Sequence, residues 1–432
     1  MPSSDSRIAA RRDPLLILLT AAIVLALYIN VGKVLFGSRY VTLLADAVVG
    51  GIGAWVLFTS LLAGKRFLAI ELFTAGFMIL GMLLILHPNV PSVVVGIEGY
   101  RSLMFQMTGL FIGIRVVRSK DDFYFLLKVV VIAATPILLY GIKQFFYLSD
   151  FDYALIASNT AALDTWQLFG KVRSFGLFNG PFHLGLCSGI IFWLSIGLWL
   201  RVRHKGWLIV AVITALACIA SFTRSSLVAL LGSIPIVLFI VYRKFRVRVA
   251  ITTIALAVVV VLSSLFLRSE WEQLGRLMDS IASLESIAED SRLTNRFEGY
   301  QRAVDLAVKH PLGLGMGAAG DAMAQHFEPY GKIHITSHNL FLWVLLETGV
   351  LGLVLFLIIA YYLTRSVRTL LRTGDLTTSS VAVGVPLVIL IAGLTGSTIG
   401  AYPINLVFWT LCGALCSMSS NTDVPRPASD AT

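Results

Sequence analysis

Charge is what this chain has least of. Of its 432 residues, 13% are charged and 57% are hydrophobic, whereas soluble proteins carry roughly a quarter charged residues. The shortage excludes a water-facing surface over most of the length. It leaves no room for an ordinary soluble domain between the apolar runs. Cysteine is scarce as well. Cys187, Cys218, Cys412 and Cys416 all fall in apolar segments and none forms a C-x-x-C pair, so they read as small packing residues. There is no P-loop. Gly313-Leu-Gly-Met-Gly-Ala-Ala-Gly resembles the dinucleotide fingerprint only superficially, because no strand precedes it. Nucleotide-sugar chemistry therefore has no support. His334 and His338 are four apart, but no carboxylate stands at a ligand-like spacing beside them. No metal and no cofactor are expected.

What the chain has instead is apolar runs of transmembrane length. They predict an all-α polytopic membrane protein of about twelve spans, near 14–30, 41–63, 67–86, 103–117, 124–146, 182–200, 206–221, 225–242, 248–267, 339–363, 381–398 and 403–419. The net charge of +10 follows the spans rather than pointing to nucleic acid. Lys65 and Arg66, Arg115 and Arg118, Arg201 and Arg203, Arg243 to Arg248, and Arg365 to Arg372 fall on one side, which the positive-inside rule makes cytoplasmic. Both termini then lie inside. Residues 1–13, with Arg7, Arg11 and Arg12, read as a retained tail because no small-residue cleavage site closes the first run. Residues 420–432 read as a second tail.

The outer side holds fewer cations, among them Lys33, Arg39, Arg101, Lys171, Arg173 and Arg224. Two outer segments stand out, 147–181 and 268–338, the second lying between the ninth and tenth spans. Within it, Phe297, Tyr300, Val304, Leu306 and Ala307 predict a helix over Ser291–His310, capped by Ser291 or Thr294. Pro311 ends it, and Gly313, Gly315 and Gly317 make a loop. The pairs Gly109/Gly113 and Gly185/Gly189 predict close helix packing.

Several polar residues are candidates for chemistry. Arg224, in Ser-Phe-Thr-Arg-Ser-Ser between two apolar runs, is expensive without a partner, water or an anion. Snorkelling to the interface is the competing reading. Arg173 lies in Arg-Ser-Phe-Gly-Leu-Phe-Asn-Gly-Pro-Phe, a shaped turn before a span. Arg296 opens the loop helix, where the dipole offers a cation nothing; a solvated helix face is the alternative. His338 lies where the loop re-enters the membrane and titrates near neutrality, as a general base requires. A hydrogen-bonded interface histidine is the alternative. Glu347, nine residues on, is an ionisable group inside a span and is expected to have a partner. Three arginines and a histidine on one face point to a bulky anion with a proton acceptor close by, since guanidinium forks bind phosphate bidentately.

These residues together resemble the O-antigen ligase and O-antigen polymerase superfamily of bacterial envelope glycan transferases. Four stretches carry the resemblance: Arg173-x-x-Gly176-x-Phe178-x-x-Pro181; Thr223-Arg224-Ser225; Arg296-x-x-x-Tyr300 followed by His310-Pro311-Leu312-Gly313-x-Gly315-x-Gly317; and Ser337-His338-Asn339-x-x-Leu342 with Glu347-x-Gly349-x-x-Gly352. A Trp is common in the family where Tyr300 stands. The resemblance implies a donor glycan on undecaprenyl diphosphate facing the periplasm, in the inner membrane of a bacterium. It makes 268–338 a large periplasmic loop. It implies His338 as the base, and Arg173, Arg224 and Arg296 as the diphosphate-binding groups. Ser337, Asn339, Tyr300 and Glu347 would support them, and the roles of Glu347 and Asp46 stay open. The acceptor would be lipid A–core in a ligase, another lipid-linked repeat in a polymerase, or a Ser or Thr in a protein-modifying enzyme. The span pattern and the lack of a C-terminal extension favour the ligase; a transporter, which midplane broken helices and inverted repeats would mark, is the alternative from another class.

Overall fold

The computed structural model describes residues 12–37, 40–158, 166–168, 171–242, 291–319 and 338–422. The predicted span at 248–267, most of the predicted large loop, His334 and Ser337 lie outside these residues, as do 1–11 and 423–432.

Apolar segments of this length are helical because every backbone N–H and C=O in hydrocarbon must find an internal partner. The helices are α1 (Pro14–Leu27), α2 (Ile29–Phe36), α3 (Val41–Leu62), α4 (Ala69–Leu84), α5 (Val93–Leu103), α6 (Thr108–Val116), α7 (Lys120–Phe146), α8 (Asp150–Ala157), α9 (Pro181–Val202), α10 (Gly206–Ala220), α11 (Arg224–Val241), α12 (Ser291–Lys309), α13 (Leu340–Arg372), α14 (Leu376–Gly393) and α15 (Ile404–Thr422). A two-residue antiparallel pair joins β1 (Gln167–Leu168) to β2 (Lys171–Val172). Among the described residues, six helices are long and apolar enough to cross a membrane, or seven if the bent pair α1–α2 is one span; α4, α10 and α15 are shorter apolar helices. The chain is a multi-pass membrane protein.

Several elements differ from the sequence expectation, among them α8, the β1–β2 pair and the break in α13 at Gly349. The first span breaks at Tyr28, so that α1 and α2 meet at 58°. Residues 93–103, expected to precede a span, form α5, capped by the Ser92 hydroxyl accepting from Val95 N at 3.3 Å; Glu98 and Arg101 had masked its apolar face. α14 begins five residues before the expected 381, because Asp375 caps it through Thr377 N at 3.1 Å and Thr378 N at 3.4 Å.

Glycines bring the helices close, as the G-x-x-x-G pairs predict. A Cβ on Gly113 would lie 2.3 Å from Thr410 O in α15, and one on Gly189 2.7 Å from a Val388 methyl in α14. Leucine-rich faces turn outward, with Leu62 and Leu83 among the exposed residues, as suits a lipid-facing surface.

Charges mark one end of the bundle. Arg115 grips the fully buried Glu71 through two bonds, Nε–Oε1 at 2.8 Å and Nη2–Oε2 at 2.7 Å. Glu71 also accepts from Leu68 N at 2.7 Å, which ties the pair to the start of α4. Lys120 bonds the α14 cap Asp375 at 2.9 Å, and Arg201 lies over the Tyr124 ring at 4.9 Å. The other end carries the turns that follow α4, α7, α10 and α14.

Candidate functional site

The first arginine segment is built on an amide. Gln144, in the last turn of α7, accepts from Phe175 N at 3.0 Å and Gly176 N at 2.7 Å, and donates to Gly176 O at 2.9 Å. Its Nε2 also donates to Asp152 Oδ1 of α8 at 2.7 Å. Asp152 is fully buried and receives Lys143 Nζ at 2.7 Å. Burial would raise its carboxyl, but hydrogen bonds from Lys143, Gln144, Ser149 N and Tyr140 outweigh burial and hold it at about 2. A carboxylate that accepts several bonds stays charged in this way. Asn30 of α2 donates to Leu177 O at 2.9 Å and fastens the same turn from another side. Gly176 takes a positive φ of 63° against Ile137 and Leu184, where a Cβ would be crowded. Arg173 is half-buried just before this clamp, its backbone N on Trp166 O at 2.9 Å.

Arg224 is the first residue of α11 and is half-buried. The turn before it contains Phe222 with φ 47°, a left-handed conformation unusual outside glycine. The Phe222 ring stacks on Phe145 at 5.6 Å, one residue past Gln144. Gly185 of α9 abuts Ser221 and Ser226 on either side of Arg224, with an added Cβ 2.6 Å from Ser226 Cβ. The two arginine turns thus share the start of α9.

The histidine end is joined to α12 by Tyr300. Its hydroxyl donates to His338 O at 3.2 Å and to Leu394 O, past α14, at 3.2 Å. Asn339 caps α13 through Phe341 N at 2.9 Å and Leu342 N at 3.1 Å, and donates to Leu394 O at 3.0 Å. His338 is exposed at the point where α12, α13 and the α14 turn meet. That turn reaches α9 through Gly396, whose Cβ would lie 2.6 Å from Phe182. Arg296 lies one turn before Tyr300 in α12; its side chain falls outside the described residues.

The glycine motif meets the Glu347 motif directly. α13 breaks at Gly349, with φ 68° and ψ −170°. The loop after α12 pairs with that break, Leu314 N on Leu346 O at 2.7 Å, Gly315 N on Glu347 O at 3.1 Å and Val350 N on Pro311 O at 2.9 Å. Gly313 and Gly349 are glycine because each would drive a Cβ into the other's backbone. Met316 N also reaches Leu84 O at 3.2 Å, at the end of α4. Glu347 is fully buried and accepts from Ala319 N at 3.3 Å. Its carboxylate therefore holds the glycine loop, about two helical turns into α13 from the His338 end.

The structure brings Arg173, Arg224, Tyr300, His338 and Asn339 to one end, and sets Glu347 deeper. Gln144, Asp152, Lys143 and Asn30 are missed by sequence reading. Asp152 carries a local signal, the Ser149-x-x-Asp152 capping box that opens α8, whereas Gln144 and Asn30 bond backbone segments far along the chain and no local pattern marks them. Among the described residues no group of three His, Cys, Asp or Glu could hold a metal ion.

A comparison with curated proteins finds no match. Residues 209–357, from α10 through the break in α13, match the model of a family described as O-Antigen ligase. That stretch contains Arg224, Tyr300, His338 and Glu347, and the match supports placing the chain in the O-antigen ligase and polymerase superfamily, as a membrane enzyme that handles lipid-linked glycans.

Proposed function

We propose that the chain is a glycosyltransferase that moves a glycan from undecaprenyl diphosphate to a hydroxyl of lipid A–core, at the periplasmic face of a bacterial inner membrane. Twelve spans with both termini inside are part of this reading. The observation that carries it is the junction at Tyr300, which joins the loop helix bearing Arg296 to His338 and to the turn that abuts α9. Arg173 and Arg224 flank the start of α9.

In the reaction, His338 takes the proton of the acceptor hydroxyl. The oxygen attacks the anomeric carbon as the carbon–oxygen bond to the diphosphate breaks, and undecaprenyl diphosphate leaves with both bonding electrons. Attack opposite the leaving group inverts the anomeric centre. Arg173, Arg224 and Arg296 neutralise the departing charge, a role in which the planar fork of arginine suits the phosphate oxygens. A positioned base contributes about 10²–10⁴-fold.

A polymerase that extends the lipid-linked glycan is the second reading, because the family match spans both. Purified protein given lipid-linked glycan and lipid A–core separates them. Glycan on lipid A–core is the expected product. Lengthened chains on the carrier lipid, with lipid A–core untouched, would establish the polymerase instead.

A further inference from the structure

Two cations at the His338 end take no part in the proposed mechanism. Lys33 lies in α2, three residues after Asn30 and so on the same helix face. The bond from Asn30 to Leu177 O sets that face against the turn that leads into α9. Lys33 is half-buried and within electrostatic range of both Arg101 and His183. Among the described residues no carboxylate pairs with it.

Arg101, in the last turn of α5, forms an ion pair with Asp46 of α3 and lies over the Tyr402 ring at 5.8 Å. Asp46 also accepts from Gln106 Nε2 at 3.1 Å. One carboxylate thus serves one of two neighbouring cations. Two buried polar atoms nearby have no hydrogen-bond partner, His183 Nδ1 and the Tyr402 hydroxyl. Tyr402 follows the turn whose Leu394 O receives Tyr300 and Asn339, so the cluster stands at the same end as His338.

A half-buried cation without a counter-charge is costly in an apolar setting, and unpaired buried polar atoms add to the cost. An anion removes both penalties at once. Ammonium and guanidinium groups together with neutral donors are the usual surroundings of a phosphate.

We propose that Lys33, with Arg101, His183 and Tyr402, forms an anion subsite for a phosphate carried by a lipid-anchored substrate, separate from the arginines at 173, 224 and 296. The word substrate rests on the proposed glycan transfer; the subsite itself rests on the cluster. The phosphate belongs either to the polyprenyl diphosphate donor or to a phosphorylated lipid acceptor.

The test uses the full chain in phosphatidylcholine nanodiscs. Its probes are polyprenyl diphosphate and bisphosphorylated lipid A, with polyprenol and dephosphorylated lipid A as controls. Lys33→Gln weakens binding of one phosphate-bearing probe by about tenfold, the size of one charge-assisted hydrogen bond. It leaves the controls unchanged, and Lys33→Arg retains most of the affinity. Whichever probe loses affinity names the substrate. The double variant D46N with R101Q removes the ion pair as a unit and weakens the same probe. It serves if Lys33→Gln does not fold. Unchanged affinity for both phosphate probes, or an equal loss for the controls, overturns the subsite. Because the readout is binding, a wild type that binds through Lys33 yet transfers no glycan defeats the proposed function alone. A wild type that transfers glycan with no Lys33-dependent binding defeats the subsite alone.

Discussion

The two ends of the bundle differ in how the segments that carry Arg115 and those that carry Arg173 and Arg224 are held. At the end that carries Lys65, Arg66, Arg115 and Arg118, cations close on partners from neighbouring helices. Arg115 and Glu71 satisfy each other in a bidentate pair, and Lys120 fastens the cap of α14. At the other end, Arg173 and Arg224 sit on turns whose shape is fixed by other residues, Gln144 and Asn30 for the first and Phe145 with Gly185 for the second. That end has ion pairs as well, Arg101 with Asp46 and Lys143 with Asp152, so the difference lies in the turns and not in the presence of carboxylates. Arg173 donates from Nε to Trp166 O at 3.3 Å, so its guanidinium is anchored within the braced turn itself.

That contrast can be broken by substitution. Arg224→Ala lowers glycan transfer by about 10²–10³-fold, the loss expected when a donor to developing charge is removed. Arg224→Lys restores only part, because a point charge does not replace the fork. Steady-state transfer rates of purified variants at matched thermal stability check this. Arg115→Ala acts at the opposite end and by another route. It leaves Glu71 buried without its counter-charge and costs about 3–5 kcal/mol of stability. Folded yield and melting temperature fall, while turnover per folded molecule stays near that of the wild type. A selective loss of turnover at Arg115 would erase the distinction between the ends.

Gln144→Leu sharpens the comparison further. It strands Phe175 N and Gly176 N, at about 1–3 kcal/mol for each unpaired buried group. Because the clamp holds the segment after Arg173, transfer falls more than stability does. Equal declines in the two would make the clamp purely structural. The smallest effect is one of pH. The Asp152 carboxyl titrates at about 2 in the folded protein against an ordinary 3.8. A depressed value means that its stabilisation is present above pH 3.8 and is lost as pH falls from there towards 2. The gap between thermal scans of the wild type and Asp152→Asn should hold from pH 7 to pH 5 and close as pH falls from about 3.8 to 2. Parallel curves would show that Asp152 is not the group responsible.

How far the sequence foretold this depends on the range of the interaction. The α12 helix and its glycine loop are local patterns, and the structure has them where periodicity, Pro311 and Gly313 to Gly317 place them; most apolar runs among the described residues are helical too. The G-x-x-x-G pairs pack as small residues must. α5 and the start of α14 were hidden because Glu98, Arg101 and the Thr377–Ser380 run dilute the apolar signal that marks a span. The break in α13 at Gly349 was hidden because its cause lies elsewhere, in the loop at 311–315 that pairs with it. The arginines and His338 are legible as odd charges at apolar boundaries. Gln144 and Asn30 are not, since a glutamine ending one helix reveals nothing of a backbone segment some thirty residues away, whereas Asp152 could have been found through its capping box with Ser149. Their part in holding Arg173 appears only when the turns are folded together.

The central claim is that the end carrying Arg173, Arg224 and His338 performs transfer while the opposite end only holds the bundle. The most direct test is single-turnover transfer of a labelled glycan from undecaprenyl diphosphate to lipid A–core by purified wild type and His338→Ala. Wild type should form the glycosidic bond, and His338→Ala, equally stable and equally well inserted, should be slower by about 10²–10⁴-fold, the contribution of a positioned base. Transfer by His338→Ala at the wild-type rate would contradict the account.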